Sequence, residues 1–549
     1  MSQPPRGAIH ELFTLLRPFR LVVIVSILLG MVGGLSVTVL LATINSALHS
    51  EAGLTQGVVA LFAGLCLLAL LSSICSDIGT NFVGQHIIAT LRKQLGEKVL
   101  SAPIEQIERY RSHRLIPVLT HDVDTISDFA FAFAPLAISL TVTLGCMGYL
   151  AMLSWPMFLI MVVAIIIGTG IQYFAQGRGI QGFMAARDAE DELQKHYNAI
   201  AEGAKELRIH RPRRQRMFVA GIKTTAEFIC RTQIRSINTF VIAKTFGSML
   251  FFVVIGLALA LQTYWPSADK TVMSGFVLVL LYMKGPLEHL VGTLPIVSRA
   301  QIAFRRIAEL SEQFSSPEPH LLLDDHGQKA PAVTRLELKD VSYAFPAVPG
   351  SEAFRLGPVN LTIEQGEIIF IVGENGCGKT TLIKLLLGLY PPQHGEIRLN
   401  GQPVNAENRD DYRQLFTTIF ADYYLFDDVV QGDTHIPDDA NKYLQRLEIA
   451  HKVSVQDGSF TTTDLSTGQR KRLALVNAWL EERPVLVFDE WAADQDPTFR
   501  RIFYTELLPD LKRLGKTIIV ISHDDRYFDV ADQLVRMEAG RVMTELAPA

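Results

Sequence analysis

The first 300 residues are organised by long stretches without charge. No Asp, Glu, Lys or Arg occurs in residues 21–50, 52–76, 129–177 or 245–268. A bilayer core of about 30 Å needs about 20 apolar residues in a helix. Each stretch is therefore long enough to cross, and residues 129–177 are long enough to cross twice. Ser154-Trp155-Pro156 supplies the break, with Trp suited to a membrane interface. A further run, 271–298, is interrupted only by Lys284 and Glu288. The pattern predicts six transmembrane helices at about 19–44, 55–77, 129–152, 155–177, 238–264 and 271–298. The first run is too long for the apolar part of a signal peptide and lacks a clear small-residue cleavage site. It reads as a retained span.

Residues 91–99 and 188–207 mix apolar and charged positions at roughly helical spacing. They predict that spans two to five continue beyond the bilayer as long helices. After Arg306 the pattern changes. A linker is expected around Ser315-Ser316-Pro317-Glu318-Pro319 and 328–333. Short β-rich runs then alternate with helical ones, at 335–338, 368–372, 485–488 and 517–521. This is the pattern of a soluble α/β domain. The expected architecture is multi-domain, with a six-helix α transmembrane bundle in residues 1–330 followed by an α/β domain in 331–549.

Charge orients the bundle. Arg6, Arg17 and Arg20 precede span one, six Lys or Arg lie in 77–128, and thirteen in 178–244. The opposite connections carry almost none, Lys270 beside Asp269 being the exception. By the positive-inside rule both termini and both long loops are cytoplasmic. The whole chain has 549 residues, a net charge of −5 and 49% hydrophobic residues, so nothing points to a nucleic-acid partner. Five cysteines without a CxxC pair argue against a disulfide framework or a zinc ribbon.

The chemistry lies in the second half. Gly373-Glu374-Asn375-Gly376-Cys377-Gly378-Lys379-Thr380 fits G-x-x-x-x-G-K-[ST], between an apolar strand and a helix that begins near Thr381. Its glycines let backbone N–H groups close around phosphates at a helix N-terminus. Lys379 is expected to reach the β- and γ-phosphates of ATP, and the Thr380 hydroxyl to bind Mg²⁺. Asn375, Gly376, Cys377, Gly378 and Thr381 complete the candidate phosphate loop. Cys377 sits among N–H dipoles beside Lys379, which predicts a reactive, maleimide-sensitive thiol. About 110 residues later, Val485-Leu486-Val487-Phe488-Asp489-Glu490 delivers Asp489 toward Mg²⁺ and Glu490 as a general base.

Leu465-Ser466-Thr467-Gly468-Gln469 stands before that strand and opens a helix over 470–481. With these residues the chain resembles the ATP-binding-cassette (ABC) exporters over essentially its whole length. Ile107-Glu108-Arg109-Tyr110 and Leu119-Thr120-His121-Asp122-Val123-Asp124-Thr125 resemble the first cytoplasmic loop of their membrane domain. The resemblance implies that His523 is the switch histidine at the γ-phosphate and Asp496 the D-loop aspartate. It implies that Phe345 stacks on adenine, with Tyr343 the runner-up. It also implies that Ser466, Gly468 and Gln469 bind the γ-phosphate held by the opposite subunit. One P-loop and one signature per chain imply a half-transporter working as a dimer, with a second copy the expected partner. The coupling loops are expected at Glu206-Leu207-Arg208-Ile209-His210 and residues 112–118.

The sequence departs from the family pattern in places. Ala421 stands where the Q-loop glutamine is expected, which makes nearby Asp422 the candidate substitute. Only about 40 residues separate Phe426 from Leu465, so the helical subdomain is short. With residues 465–475 and 489–497, these departures resemble the cyclic-peptide and siderophore exporter branch, and within it exporters of a pyoverdine-type precursor across the bacterial inner membrane. That resemblance implies a non-ribosomal peptide cargo delivered to the periplasm. A lipid flippase of the same fold is the nearest alternative, and an ATP-gated channel or regulatory ABC protein the alternative of another class. Lys284 and Glu288 are four residues apart, about 20 Å along span six from Thr271. They read either as a mutual ion pair or as a contact for polar cargo.

Overall fold

The computed structural model describes residues 20–48, 55–110, 112–264, 270–314, 316–322, 333–346, 353–429, 439–456 and 458–546. Arg6, Arg17, Asp269 and most of the expected linker lie outside them. The chain forms two compact units. One comprises Met1–Val99 and Arg109–Ser315; the other comprises Ser316–Ala549 together with the excursion Leu100–Glu108.

The first unit is helical. Its principal helices are α1 (Arg20–Leu48), α2 (Gln56–Leu100), α4 (Phe133–Leu153), α5 (Trp155–Glu202), α6 (Thr224–Tyr264), α7 (Lys270–Gly292) and α8 (Leu294–Gln313). The short helix α3 (Ile104–Tyr110) lies between α2 and α4. Among the described residues, six helical stretches are long and apolar enough to cross a membrane. At 1.5 Å per residue, α2 with 45 residues and α5 with 48 are about 68 and 72 Å long, more than twice a bilayer core. The expected extension beyond the membrane is therefore present. Span five reaches further back than expected: its helix runs as Arg211–Ala260 through a π-helical stretch at Met217–Lys223, because charged positions there still allow helix. Span six is a two-part helix, broken at Thr293 before Pro295. Pro286 does not disturb its register, since Lys284 Nζ still lies 3.7 Å from Glu288 Oε1, one turn on.

In this unit α5 packs along α6, and α1 and α7 both pack on α4. Close approach rests on small residues. A methyl group on Gly34 would meet Val142 at 3.1 Å, and one on Gly179 would meet the Phe240 ring at 2.2 Å. Buried Ser76 donates to the Ser26 carbonyl at 2.7 Å, tying α2 to α1.

The second unit is an α/β domain. A six-stranded sheet has the order β12-β11-β3-β10-β9-β6, where β3 is Ile368–Gly373, β6 Phe416–Ile419, β9 Val485–Asp489, β10 Thr517–Ile521, β11 Gln533–Glu538 and β12 Arg541–Leu546. All neighbours are parallel except β12, which is antiparallel to β11. Strands β9 and β10 are buried throughout, as expected for continuous apolar runs in a sheet covered on both faces. A four-stranded antiparallel sheet, β2-β1-β4-β5, contains β1 (Arg335–Ala344), β2 (Arg355–Glu364), β4 (His394–Leu399) and β5 (Gln402–Pro403), and β7 (Val455–Gln456) pairs with β8 (Ser459–Phe460) as a separate antiparallel ribbon. Helices α9 (Lys379–Leu386) and α10 (Thr467–Leu480) bear on the site described next.

Candidate active site

Three parallel strands end side by side and carry the candidate chemistry at their C-terminal ends. β3 leads into the phosphate loop and α9, β9 ends at Asp489 and Glu490, and β10 leads to Ser522 and His523. Ligand sites of open α/β sheets lie at this edge.

The loop needs its glycines. Gly376 has φ +80° and Gly378 φ +108°, in the left-handed region that favours glycine. A Cβ on Gly378 would also sit 2.9 Å from Phe354 and Leu356. Asn375, Gly376 and Thr380 face outward. Lys379 Nζ folds back onto the carbonyls of Gly373 and Glu374, at 2.9 and 3.1 Å. Cys377 departs from expectation. Its side chain is 6% exposed and belongs to the apolar cluster beneath the loop, so the loop presents its backbone and not a reactive thiol.

Thr380 Oγ1 donates to Asp489 Oδ2 at 3.2 Å. Burial pushes the Asp489 carboxyl above the ordinary range, against the Thr380 hydroxyl and the Ala421 N–H that favour its anion. A hydroxyl and a carboxylate converging at the mouth of a phosphate loop are hard oxygen donors, the set that suits Mg²⁺. Asp422 is exposed, and its charge acts on Asp489 in the direction of a neighbouring anion. Glu490 stands next, at φ 50° and ψ 32°, an uncommon conformation for a residue with a side chain. Its amide donates to the Ile521 carbonyl at 3.2 Å, and its carbonyl accepts from Lys471 Nζ at 3.1 Å. Thus held, Glu490 Oε1 lies 3.1 Å from His523 Nε2. The two residues lie 33 positions apart in the chain and share a cleft of about 330 Å³ that also includes Arg500, Tyr504 and Asp524.

The two candidates for the adenine platform differ in exposure. Tyr343 is 2% exposed and therefore covered, whereas Phe345 is half-buried, edge-on to Tyr343 at 5.2 Å and to Tyr390 at 6.1 Å. In the signature, α10 starts at Thr467, slightly before the expected residue 470, and its exposed N-cap residue Ser466 makes no side-chain capping hydrogen bond. Such an N-terminus offers N–H groups to an anion.

Several site residues went unnoticed in the sequence. Arg472 on α10 donates to Gln495 Oε1 at 3.1 Å and to Asp496 Oδ2 at 2.8 Å, while its guanidinium lies 3.7 Å over the Phe499 ring. Gln495 donates to the Gly468 carbonyl at 3.1 Å. Buried Lys471 adds an ion pair to Asp494 at 2.8 Å. Together they brace the signature helix against the loop of Glu490 and Asp496. Only the charge-rich stretch after Gln469 hinted at this role. In the excursion Leu100–Glu108, Glu108 accepts from Lys384 Nζ at 2.7 Å and from the Tyr390 hydroxyl. Residues 112–118, the other expected coupling segment, belong to the first unit. Residues 206–210 lie in the first unit, with Ile209 87% exposed.

A phosphate loop, an acidic strand end and a signature helix in one cassette, attached to six membrane-length helices, define a membrane transporter powered by ATP. The comparisons agree. The model of the ABC transporter transmembrane region matches residues 19–284, and that of the ABC transporter matches 356–493. ATP-binding protein SyrD of Pseudomonas syringae pv. syringae is 34% identical over 533 residues, covering 95% of this chain and 94% of that protein. An ATP-dependent lipid A-core flippase of Alkalilimnicola ehrlichii is 26% identical over 530 residues, 90% and 85% of the two chains. A solved bacterial Atm1-family ABC exporter with ATP bound shares the fold, with a TM-score of 0.76 at 16% identity over 97% and 95% of the two chains. The chain belongs to the ABC transporter family. It is a multi-pass membrane ABC exporter whose ATPase is coupled to transport, built on the half-transporter fold that acts as a dimer.

Proposed function

We propose that two copies of this chain form a homodimer in a bacterial inner membrane, with both termini and the cassettes in the cytoplasm. The dimer exports a non-ribosomal peptide siderophore precursor, of the pyoverdine type, to the periplasm. The domain division is taken near residue 330. The observation that carries the catalytic part is the meeting of Glu490 with His523 beside the Thr380–Asp489 pair.

The chemistry follows from these positions. Phe345 stacks on the adenine of ATP. The N–H groups of Asn375, Gly376, Cys377 and Gly378 surround the phosphates, with Thr381 at the helix start behind them. Lys379 leaves the Gly373 and Glu374 carbonyls for the β- and γ-phosphates. Thr380 and Asp489 would hold Mg²⁺, with Asp422 as an additional oxygen. When bound, the ion neutralises phosphate charge. Ser466, Gly468 and Gln469 of the second copy close on the γ-phosphate, and Asp496 keeps that loop in register. Glu490 takes a proton from water as its oxygen attacks the γ-phosphorus. The bond to the bridging oxygen of ADP breaks, and phosphate and ADP leave. His523 orients Glu490 and the γ-phosphate. Glu490→Gln keeps ATP binding and lowers turnover by roughly 10²–10⁴-fold, because an amide is a poor base. Turnover at the wild-type rate would remove Glu490 from this role.

The cargo reading is supported by the resemblance in residues 465–475 and 489–497. A second reading, lipid flipping, is favoured by the relatives that carry that name. ATP-dependent uptake into inverted vesicles separates them. An acylated peptide precursor should be accumulated and should stimulate ATPase. Accumulation of a lipid A-type lipid with no response to the peptide would favour the second reading.

A further inference from the structure

Inside the helical unit, α5, α6 and α7 enclose a cavity of about 60 Å³, lined by both polar and apolar side chains. Gln172 of α5 lines it and is 4% exposed, yet neither its carboxamide oxygen nor its nitrogen has a hydrogen-bond partner. Gln172 lies 17 residues after Trp155, about 26 Å along the helix, still within a hydrocarbon core of about 30 Å. Polar groups in that setting are costly and mark functional sites, and a buried amide without partners calls for an explanation. The remaining wall is largely apolar, with Met161, Leu250, Phe251 and Leu287. Lys244 and Glu288 also line it, and Glu288 is paired with Lys284. Gly168 and Gly247 contribute no side chain, and a methyl group on either would meet no atom within 4 Å.

We propose that this cavity is an intrasubunit cargo subsite, which takes one secondary amide group with the first carbons of its apolar substituent, as much as about 60 Å³ holds. The proposal deepens the cargo reading above and rests on it. A carboxamide is the hydrogen-bonding complement of a peptide group: it donates to the C=O and accepts from the N–H. Gln172 therefore reads the amide, the apolar wall takes the carbons next to it, and each subunit carries one such site. An ester in place of the amide fits the same walls but offers no N–H to Gln172.

The test uses the full-length dimer in nanodiscs and two probes, a dodecanoyl-amide dipeptide and the same molecule with the acyl amide replaced by an ester. Equilibrium binding is measured without nucleotide. The amide probe should bind about tenfold more tightly, the usual size of one net hydrogen bond to a buried polar group. Gln172→Leu should abolish that preference while leaving the melting temperature at or above wild type, because it removes an unsatisfied group. Gly247→Val, which fills the space, should weaken both probes alike. No binding of either probe, equal binding by the wild type, or a preference that survives Gln172→Leu overturns the subsite, and leaves Gln172 as a group solvated by trapped water. If the preference behaves as expected but vesicles accumulate no peptide, the subsite stands and the cargo reading fails.

Discussion

At the scale of single residues, what matters is which atoms the fold presents. The phosphate loop is contiguous in sequence, yet its members face different ways: Asn375, Gly376 and Thr380 face outward, while the Cys377 side chain packs into the core below. Exposed Cys230 on α6 is the contrasting case. Maleimide treatment of the native protein, followed by digestion and mass spectrometry, should find adduct on Cys230 and none on Cys377. Substantial modification of Cys377 in folded protein would mean that the loop opens. Glu490 makes the same point through its backbone. Its left-handed conformation costs of the order of 1–3 kcal/mol. It persists because the Ile521 carbonyl and Lys471 pin both of its peptide groups.

At the scale of elements, the helical unit is tied by a buried ionic cluster. Asp122, 2% exposed, accepts from Arg187 Nη2 at 2.9 Å and lies 3.9 Å from Arg306, which is itself paired with Asp191. The cluster joins the stretch before α4 to α5 and α8. Removing one partner of a buried pair strands the other charges, at a cost of about 3–5 kcal/mol. Asp122→Ala should therefore lower the melting temperature of the purified transporter clearly. Asp122→Leu combined with Arg187→Met should recover part of the loss, since an apolar replacement leaves fewer stranded charges. A melting temperature unchanged in Asp122→Ala would show that water already solvates the site. The motif around Asp122 was legible as family-like. Its partners, 65 and more residues away, were not.

At the scale of the whole molecule, one chain carries one phosphate loop and one signature helix. Under the proposed dimer, each loop faces the signature of the second copy. In protein lacking Cys66, Cys75 and Cys230, with Glu490→Gln to retain ATP, the pair Asn375→Cys and Ser466→Cys should form intermolecular disulfides on addition of ATP. Dimer bands on a non-reducing gel would report it. Equal crosslinking with and without ATP, or none at all, would exclude the nucleotide sandwich. Both positions are exposed within their own chain, as a joint between copies requires.

Hydrophobic runs, the glycine spacing of the phosphate loop and the apolar strand before Asp489 are local patterns, and each is dictated by neighbours in the chain. From them the sequence by itself determined six spans, an α/β cassette, ATP as its ligand and the place of the phosphate loop. It also carried the small residues that let the helices approach. Contacts between distant segments depend on how strands and helices are laid side by side, and those only the tertiary structure decided. It brought His523 to Glu490 and Thr380 to Asp489, across 33 and 109 residues. It covered Tyr343 and left Phe345 half open, because packing in the antiparallel sheet buries one ring and not the other. It braced the signature helix through Arg472 and Gln495, and brought Glu108 to Tyr390 across 282 residues. It also left Gln172 without a partner in a largely apolar wall, where no local pattern distinguishes it from any other polar residue of a span.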